Sequence, residues 1–258
     1  MKKVFVIVIL FLIIIFPVYA QDLTTKKAFD DFIFSQDNYR ASLTEFNLKK
    51  GSYQKNPTLS LKEEARVSLY DFLTKRNDYK RTYLTVVRTR TSDMTVYSKI
   101  DPEVVWYEKR EDNLKSTDSL EDLLIKSNEE DIRYQTDTLP IIYFSLGNIS
   151  LSSIIELKIE HINLYEKLKN EAGELVELGR ADSSLFERWY KDIDAELTKI
   201  NDIEKVTKIE IQKIFSADNY QVKKSYEKVT EKLSPAKSNL LQLNKFISEL
   251  ELTISEKR

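Results

Sequence analysis

The sequence lacks cysteine and has little glycine and proline: 258 residues contain no Cys, four Gly and five Pro. The absence of cysteine excludes disulfide bonds, thiolate metal sites, Cys nucleophiles and the lipid-bearing Cys of a lipoprotein. The scarcity of turn-forming residues argues against a β-sandwich or β-barrel, and an apolar content of 41% is too high for a disordered chain. We therefore predict an all-α fold of elongated helical hairpins or a coiled-coil bundle.

Familiar catalytic motifs are absent as well. The sequence has no glycine-rich phosphate loop, no HExxH or GxSxG motif and no EF-hand loop. We predict that the protein is not an enzyme and has no catalytic, cofactor-binding or metal-binding residues, with a carboxylate-based glycosidase as the enzymatic alternative. The carboxylate clusters, which we expect on solvated helix faces, are Glu129, Glu130 and Asp131; Glu108 and Glu111; and Glu249 and Glu251.

His161 is the only histidine, and it falls on the apolar seam of its predicted helix. A functional role would be a pH-sensitive or metal-binding position. Because metal sites usually combine several ligands, we favour a partly buried histidine that is bonded to a carboxylate, such as one on a facing helix.

The first twenty residues have the pattern of a secretory signal peptide. Lys2 and Lys3 precede an apolar run from Val4 to Phe16, and Ala20 offers a cleavage site before Gln21. We expect an exported protein in the periplasm or at the cell surface, and an N-terminal membrane anchor if the segment stays uncleaved. No later segment is expected to span a membrane. Cleavage would leave a formal charge of about −4, which does not favour nucleic-acid binding.

Residues 21–100 are predicted to form an N-terminal helical hairpin. Its first helix ends near Gly51 and Asn56-Pro57, and Ser60 with Glu63 is a candidate capping box for the second. Spacings of three and four predict an aromatic-rich core seam rather than a ligand-stacking platform. The seam positions are Phe29, Phe32, Gln36, Tyr39, Leu43, Phe46, Lys50 and Tyr53 in the first helix, and Ala65, Leu69, Phe72, Arg76, Tyr79, Tyr83 and Val86 in the second.

Residues 101–138 are predicted to be a mobile polar linker with short helices, because apolar residues are sparse there. Asp101-Pro102 resembles a helix start, with Asp as the N-cap and Pro at the first helical position. The apolar segment 139–144 follows, closed by Gly147. It fits either a buried turn or short helix or a contact surface, and we favour burial because it lacks the basic face of a membrane-surface helix.

Residues 139–258 are predicted to form a C-terminal helical hairpin or coiled-coil region. Ser153 and Glu156 form a second candidate capping box, Gly179 ends the helix and Asp182 caps the next one. The predicted seams are Ile154, Leu157, His161, Leu164, Leu168, Leu175 and Leu178 in the first helix, and Phe186, Trp189, Ile193, Leu197, Ile200, Ile203 and Ile211 in the second, which breaks near residues 216–219.

The last segment carries sustained heptads, which are typical of a coiled-coil seam. Pro235 interrupts them and predicts a kink or a fresh helix start. This seam could bind a protein partner or a second copy of the chain, or be covered by the chain's own helices. Its residues are Val222, Tyr226, Val229, Leu233, Ala236, Leu240, Leu243, Ile247, Leu250 and Ile254.

The Tyr- and Phe-rich opening FDDFIFSQDNYRASLTEFNLKKGSYQK, followed by SLYDFLTKRNDYKRTYLTVV, resembles uncharacterised exported helical proteins of small uncultured bacterial lineages. The resemblance covers about residues 21–90 and contains no diagnostic motif. It implies an exported, coiled-coil type of helical protein, and it implies no activity and no functional residues.

The function that these features favour is a non-catalytic binding or scaffolding module of the cell envelope. A periplasmic holdase chaperone is the alternative, although it would call for an exposed apolar face and preferably a basic cavity. A helical membrane-active protein, inserting through residues 139–151, is a third hypothesis.

Overall fold

The computed structural model describes residues 23–216 and 221–258, and these residues form helices and no strand. The predicted all-α fold is confirmed. The predicted signal peptide and most of the predicted break at 216–219 lie outside the described residues. The helices are α1 (Leu23–Lys55), α2 (Leu59–Thr89), α3 (Met94–Asn113), α4 (Leu120–Arg133), α5 (Leu139–Glu177), α6 (Ser184–Gln212) and α7 (Val222–Ser255), with a π-helical turn at Tyr134–Thr138 between α4 and α5 and a 3₁₀ turn at Lys213–Ser216 after α6.

The chain divides into two compact units, with the boundary between Ser145 and Leu146. The first unit contains α1 to α4, the π-helical turn and the start of α5. The second contains the rest of α5 with α6 and α7. The boundaries predicted from the sequence are at residues 100 and 138 instead, but both α3 and α4 contact α2 in the structure. Residues 101–138 therefore belong with the hairpin that precedes them.

The α1 and α2 helices form the predicted aromatic-rich hairpin. Tyr39 and Tyr79 stack with ring centroids 5.0 Å apart, and Phe46 stacks on Phe72 at 5.5 Å. All seven predicted seam residues of α2 are buried, which confirms this seam as core. The predicted start of α2 is wrong by two residues, because the hydroxyl of Thr58 accepts a hydrogen bond from the N–H of Leu61 and caps the helix. The first helix also continues past Gly51 to Lys55.

The predicted helix start at Asp101-Pro102 is wrong. The α3 helix begins at Met94, where the carboxylate of Asp93 accepts the N–H of Thr95 at 2.8 Å, and Pro102 lies inside the helix. Val96 and Ile100 are both fully buried in its first two turns. Their burial holds the helix across the residues before the proline, since packing outweighs local propensity.

The predicted mobile linker is also wrong, because α4 is an ordered helix that packs on α2. Ser119 and Asp122 form a capping box at its start. Leu114, Leu120 and Leu123 join the core that contains Leu69. These three leucines hold α4 and the residues before it against α2, together with ion pairs between α2 and α4.

The α5 helix runs through the predicted stops and starts at Gly147, Ser153 and Glu156 without interruption. A Cβ atom at Gly147 would lie 3.1 Å from Cγ1 of Ile211 and 3.4 Å from Cγ1 of Val229. The glycine therefore permits a close helix approach rather than a turn. The helix ends as predicted at Gly179, which adopts φ 67°.

Burial of the apolar segment after Thr138 is confirmed, since Ile142, Tyr143 and Phe144 are all buried. The continuous helical stretch Leu120–Glu177 contains an 18-residue window with a mean hydropathy of 1.4, of which 56% is buried. Residues 138–155 carry no charge. A helix of this length and composition is able to cross a membrane, but many core helices of soluble proteins meet the same criterion. The absence of a membrane span thus remains a prediction.

The second unit has one core shared by α5, α6 and α7. Nine of the ten heptad positions of α7 are buried, and Leu243 and Leu250 are completely so. The helix continues through Pro235 without the predicted restart. Asp182 caps the start of α6 as predicted, since its carboxylate accepts the N–H of Ser184 at 2.9 Å. A dimer formed through the α7 seam would require this core to open.

The buried seam of α5 differs from the predicted one. Leu168 and Leu175 are core residues as predicted, whereas Leu157 and Leu164 are 37% and 38% exposed. Tyr165, which the predicted pattern omitted, is 2% exposed. The core of this unit therefore lies along a slightly rotated face of α5.

Candidate functional site

His161 lies at a partly exposed edge of α5. Its Nδ1 is 2.6 Å from the backbone carbonyl oxygen of Leu157, one turn earlier. The expected bond to a carboxylate is therefore wrong, because the imidazole bonds to its own helix. In residues 23–216 and 221–258, no three His, Cys, Asp or Glu side chains gather in a way that could hold a metal ion.

Glu130 is a buried carboxylate in the first unit. It is 1% exposed, so its expected place on a solvated helix face is wrong. Its Oε1 lies 2.6 Å from Nζ of Lys80 and 2.9 Å from Nε of Arg76. The amide of Asn77, when oriented to donate, lies 2.8 Å from Oε2. Three residues of α2 thus neutralise and bind one carboxylate of α4.

Arg76 extends this arrangement to the surface. Its Nη1 lies 3.0 Å from Oδ1 of Asp131, and its Nη2 donates to the backbone carbonyl oxygen of Ser127 at 3.3 Å. We call Arg76, Asn77, Lys80, Glu130 and Asp131 the Glu130 network. Its two cations and two carboxylates balance, as buried charges require.

The ammonium of Lys80 is enclosed by aromatic rings as well as by Glu130. Its Nζ lies 4.7 Å from the ring centroid of Tyr134 and 5.6 Å from that of Tyr107. Burial lowers the pKa of Lys80, and the charge of Glu130 opposes that shift. An amine with a lowered pKa can act as a nucleophile when a substrate can reach it. Here the side chain is only 11% exposed and its contacts are satisfied, so we interpret it as a structural group.

A second buried network centres on Glu103 of α3, which is 3% exposed. Its Oε1 accepts a hydrogen bond from Nη2 of Arg133 at 2.5 Å, and its Oε2 accepts one from the hydroxyl of Thr138 at 2.7 Å. The Thr138 hydroxyl also lies 3.1 Å from the hydroxyl of Tyr107. We call these four residues the Glu103 network.

Burial raises the pKa of the tyrosines around both networks. The pKa of Tyr79 rises to about 12, and the amide of Gln36 only partly offsets this by hydrogen bonding. Burial also raises the pKa of Tyr107 and of Tyr134. Burial therefore favours the protonated form of these hydroxyls beyond the pH at which an exposed tyrosine ionises.

An open groove lies between α1 and α2, on a different side of α2 from Glu130, and it has a volume of about 220 Å³. Its floor is polar: Thr82 is buried, and its hydroxyl lies 2.6 Å from that of Ser35 on α1. Phe34 forms an apolar wall and is 68% exposed. We call this the α1–α2 groove. Its lining residues are Ala28, Asp31, Phe34, Asp78, Arg81, Thr82 and Thr85.

The α1–α2 groove is lined by two carboxylates, Asp31 and Asp78, and by one guanidinium, Arg81. The guanidinium of Arg81 lies 2.6 Å from the carboxylate of Asp78, so these two charges compensate each other. Asp31 is exposed and forms no salt bridge within the described part of the chain. The groove therefore presents one uncompensated carboxylate beside an exposed aromatic ring. That combination suits a group with an apolar stem and a positive end.

Comparison of the chain with protein-family models, with curated proteins and with solved structures found no match.

Neither the two networks nor the groove was predicted from the sequence. One available signal was a second seam on α2, since Leu73, Leu84 and Val87 are buried at helical spacings together with two polar positions, Asn77 and Lys80. Polar residues that interrupt an apolar seam indicate a partner of opposite charge. The sequence alone does not identify that partner as Glu130, because the pairing depends on how α4 folds back on α2.

Proposed function

We propose that this chain is an exported, non-catalytic binding or scaffolding protein of the cell envelope, and that it contacts a protein partner through the α1–α2 groove. The observation that carries the proposal is the exposed Phe34 ring beside the uncompensated carboxylate of Asp31. Aromatic residues, phenylalanine included, are enriched at protein interfaces. The signal-peptide pattern of residues 1–20 supports export.

The expected occupant is a partner segment that carries a lysine or arginine next to apolar residues. Its charged end would approach Asp31, and its alkyl stem would pack on Phe34. A groove of about 220 Å³ is small beside the pockets of drug-sized ligands and suits a single side chain. The Arg81 guanidinium does not oppose this cation strongly, because Asp78 compensates it.

The buried charges support a non-catalytic role. Each carboxylate oxygen of Glu130 and of Glu103 already lies beside a donor from the protein itself. A general acid or base must reach a substrate proton, and neither carboxylate has an exposed surface of any size. We therefore assign both networks to stability.

A holdase chaperone is less well supported. Such a protein would need an extended apolar surface for unfolded clients. The α1–α2 groove is instead small and acidic, and much of the apolar run at 138–155 is buried. The same burial weakens the hypothesis of a membrane-active protein.

Site-specific photo-crosslinking tests the proposal. A benzoylphenylalanine at position 34 of the full chain, expressed in a bacterial host, is compared with one at Leu48, which is 63% exposed on the same helix and outside the groove. We expect one discrete adduct at 34 only, with the cross-linked partner peptide containing Lys or Arg. Asp31→Asn should abolish the adduct, whereas Asp30→Asn should leave it. Equal adducts at both positions, or adducts with many unrelated proteins, would favour the chaperone.

A further inference from the structure

The π-helical turn Tyr134–Thr138 lies within an otherwise continuous helix. The backbone N–H of Leu139 bonds to the carbonyl oxygen of Tyr134, five residues earlier. An α-helix would use the carbonyl of Gln135, four residues earlier. A π turn thus holds one extra residue, and π-helical geometry is rare because it is less favourable than α-helix. Pro140 follows the turn directly and weakens a regular α-helix here, because it lacks an N–H and its ring crowds the carbonyl of Thr136. Since α3 and α7 nevertheless continue as α-helices through Pro102 and Pro235, contacts in the fold must also stabilise the π turn.

Glu103 binds residues at both ends of this turn. One carboxylate oxygen binds Arg133, the residue directly before the turn, and the other binds Thr138, its last residue. Successive residues of an α-helix differ by about 100°, so residues five apart point about 140° away from each other. With the extra residue of the π turn, Arg133 and Thr138 come closer to one face, where a single carboxylate reaches both.

Further contacts of Thr138 and Arg133 stabilise this arrangement. Thr138 is completely buried, and its hydroxyl also lies beside that of Tyr107. The guanidinium of Arg133 stacks on Trp106 with its carbon 4.6 Å from the ring centroid, and it also pairs with Asp137 at 3.4 Å. The groups of α3 that hold the turn therefore come from neighbouring positions on one face, at 103, 106 and 107.

We propose that Glu103 is a latch that sets the helical register of α5: when it binds Arg133 and Thr138 the segment keeps its π turn, and when it is released the segment becomes α-helical. The released state rotates residues 139–145 by about 100° relative to α4. Ile142 and Phe144, which are now buried, would have to repack. Two discrete packings of one segment are the usual basis of a conformational switch.

The test is to identify the hydrogen-bond acceptor of the Leu139 amide by NMR, using scalar coupling across the hydrogen bond in the full chain. In the unmodified protein the coupling should run to the carbonyl carbon of Tyr134. In Glu103→Ala and in Thr138→Val it should move to the carbonyl carbon of Gln135. Glu111→Gln, a change at an exposed position of α3, should leave it at Tyr134.

Deletion of the exposed Thr136 provides a second readout. It removes the extra residue, so it should lower the denaturation midpoint of the unmodified protein and have a smaller effect in Thr138→Val, where the latch is already weakened. Coupling that stays at Tyr134 in folded Thr138→Val would overturn the proposal. So would a deletion that is equally harmful in both backgrounds. Thr138→Val removes only one hydroxyl, so it disturbs the fold less than Glu103→Ala. If Glu103→Ala does not fold, the coupling measured in Thr138→Val tests the proposal.

Discussion

The ammonium of Lys80 lies 2.6 Å from Oε1 of Glu130, and both side chains are almost entirely shielded from water. These residues belong to α2 and α4, so the ion pair joins a helix of the predicted hairpin to the region that was predicted to be a linker. Arg76 shares the same carboxylate oxygen. Glu130 is thus a buried anion that two cations share.

Glu130→Ala is predicted to lower the free energy of unfolding by about 3–5 kcal/mol, because it leaves two buried cations without their shared anion. Chemical denaturation measures this change. The matched control is Glu129→Ala, which removes a neighbouring carboxylate that is 58% exposed and pairs with Arg110. The control should cost less than about 1 kcal/mol. Equal losses in the two variants would show that burial does not determine how much the Glu130 network contributes to the free energy of unfolding.

Stability should fall in alkaline solution partly through Tyr79. Burial raises its pKa from an ordinary 10.0 to about 12, so the unfolded chain loses this proton at a lower pH than the folded chain. The resulting stabilisation is complete below pH 10 and is lost as the pH rises towards 12. Tyr79→Phe should therefore lose less stability than the unmodified protein between pH 9 and about 11.5 in guanidinium denaturation. Parallel curves for the two proteins would contradict this assignment.

Two glycines of α5 should respond in opposite ways to substitution. A Cβ atom at Gly173 would have no heavy atom within 4 Å, so Gly173→Ala should stabilise the helix by about 0.5–1 kcal/mol. Gly147 faces the buried Ile211 and Val229, so Gly147→Val should cost about 1–3 kcal/mol through overpacking. Thermal unfolding of both variants tests the pair. A stabilised Gly147→Val protein would show that α5 does not approach these side chains closely.

The α7 heptads should behave as core. Leu243→Asp places a charge at a completely buried position and should cost more than about 4 kcal/mol, which unfolds the second unit. Leu241→Asp, at a position 63% exposed on the same helix, should have little effect. Circular dichroism reports whether each variant is folded, and light scattering reports its oligomeric state. Together they distinguish a core role of the seam from a role in assembly between chains. A Leu243→Asp protein that stays folded but changes from dimer to monomer would place the seam at an interface between chains.

Periodicity predicted the elements in which apolar residues do the packing. All seven predicted seam positions of α2 and nine of the ten of α7 are buried, because these positions follow steps of three and four along one face of each helix. One region was predicted wrongly because polar interactions stabilise it. The α4 helix depends on Glu130 and few apolar residues, and the pattern of apolar residues cannot report an ion network.

Local signals failed where tertiary contacts overruled them. Gly147 resembles a helix stop, yet its missing side chain serves a close contact with Ile211. Pro102 resembles a helix start, yet the buried Val96 and Ile100 extend the helix ahead of it. The α1–α2 groove was not predicted for a different reason. It depends on the relative rotation of two helices, which places Phe34 and Asp31 beside Arg81, and no short sequence pattern records that rotation.

The most direct measurement is an NMR titration of the isotope-labelled protein with N-acetylargininamide, and with its neutral analogue N-acetylcitrullinamide. We expect the arginine compound to shift the amide signals of Asp31, Phe34 and Arg81 more than the citrulline compound does. Asp31→Asn and Phe34→Ala should reduce these shifts, whereas Asp30→Asn and Leu48→Ala should not. Equal shifts with both compounds, or shifts that do not involve the groove, would contradict a binding site for a cationic side chain between α1 and α2.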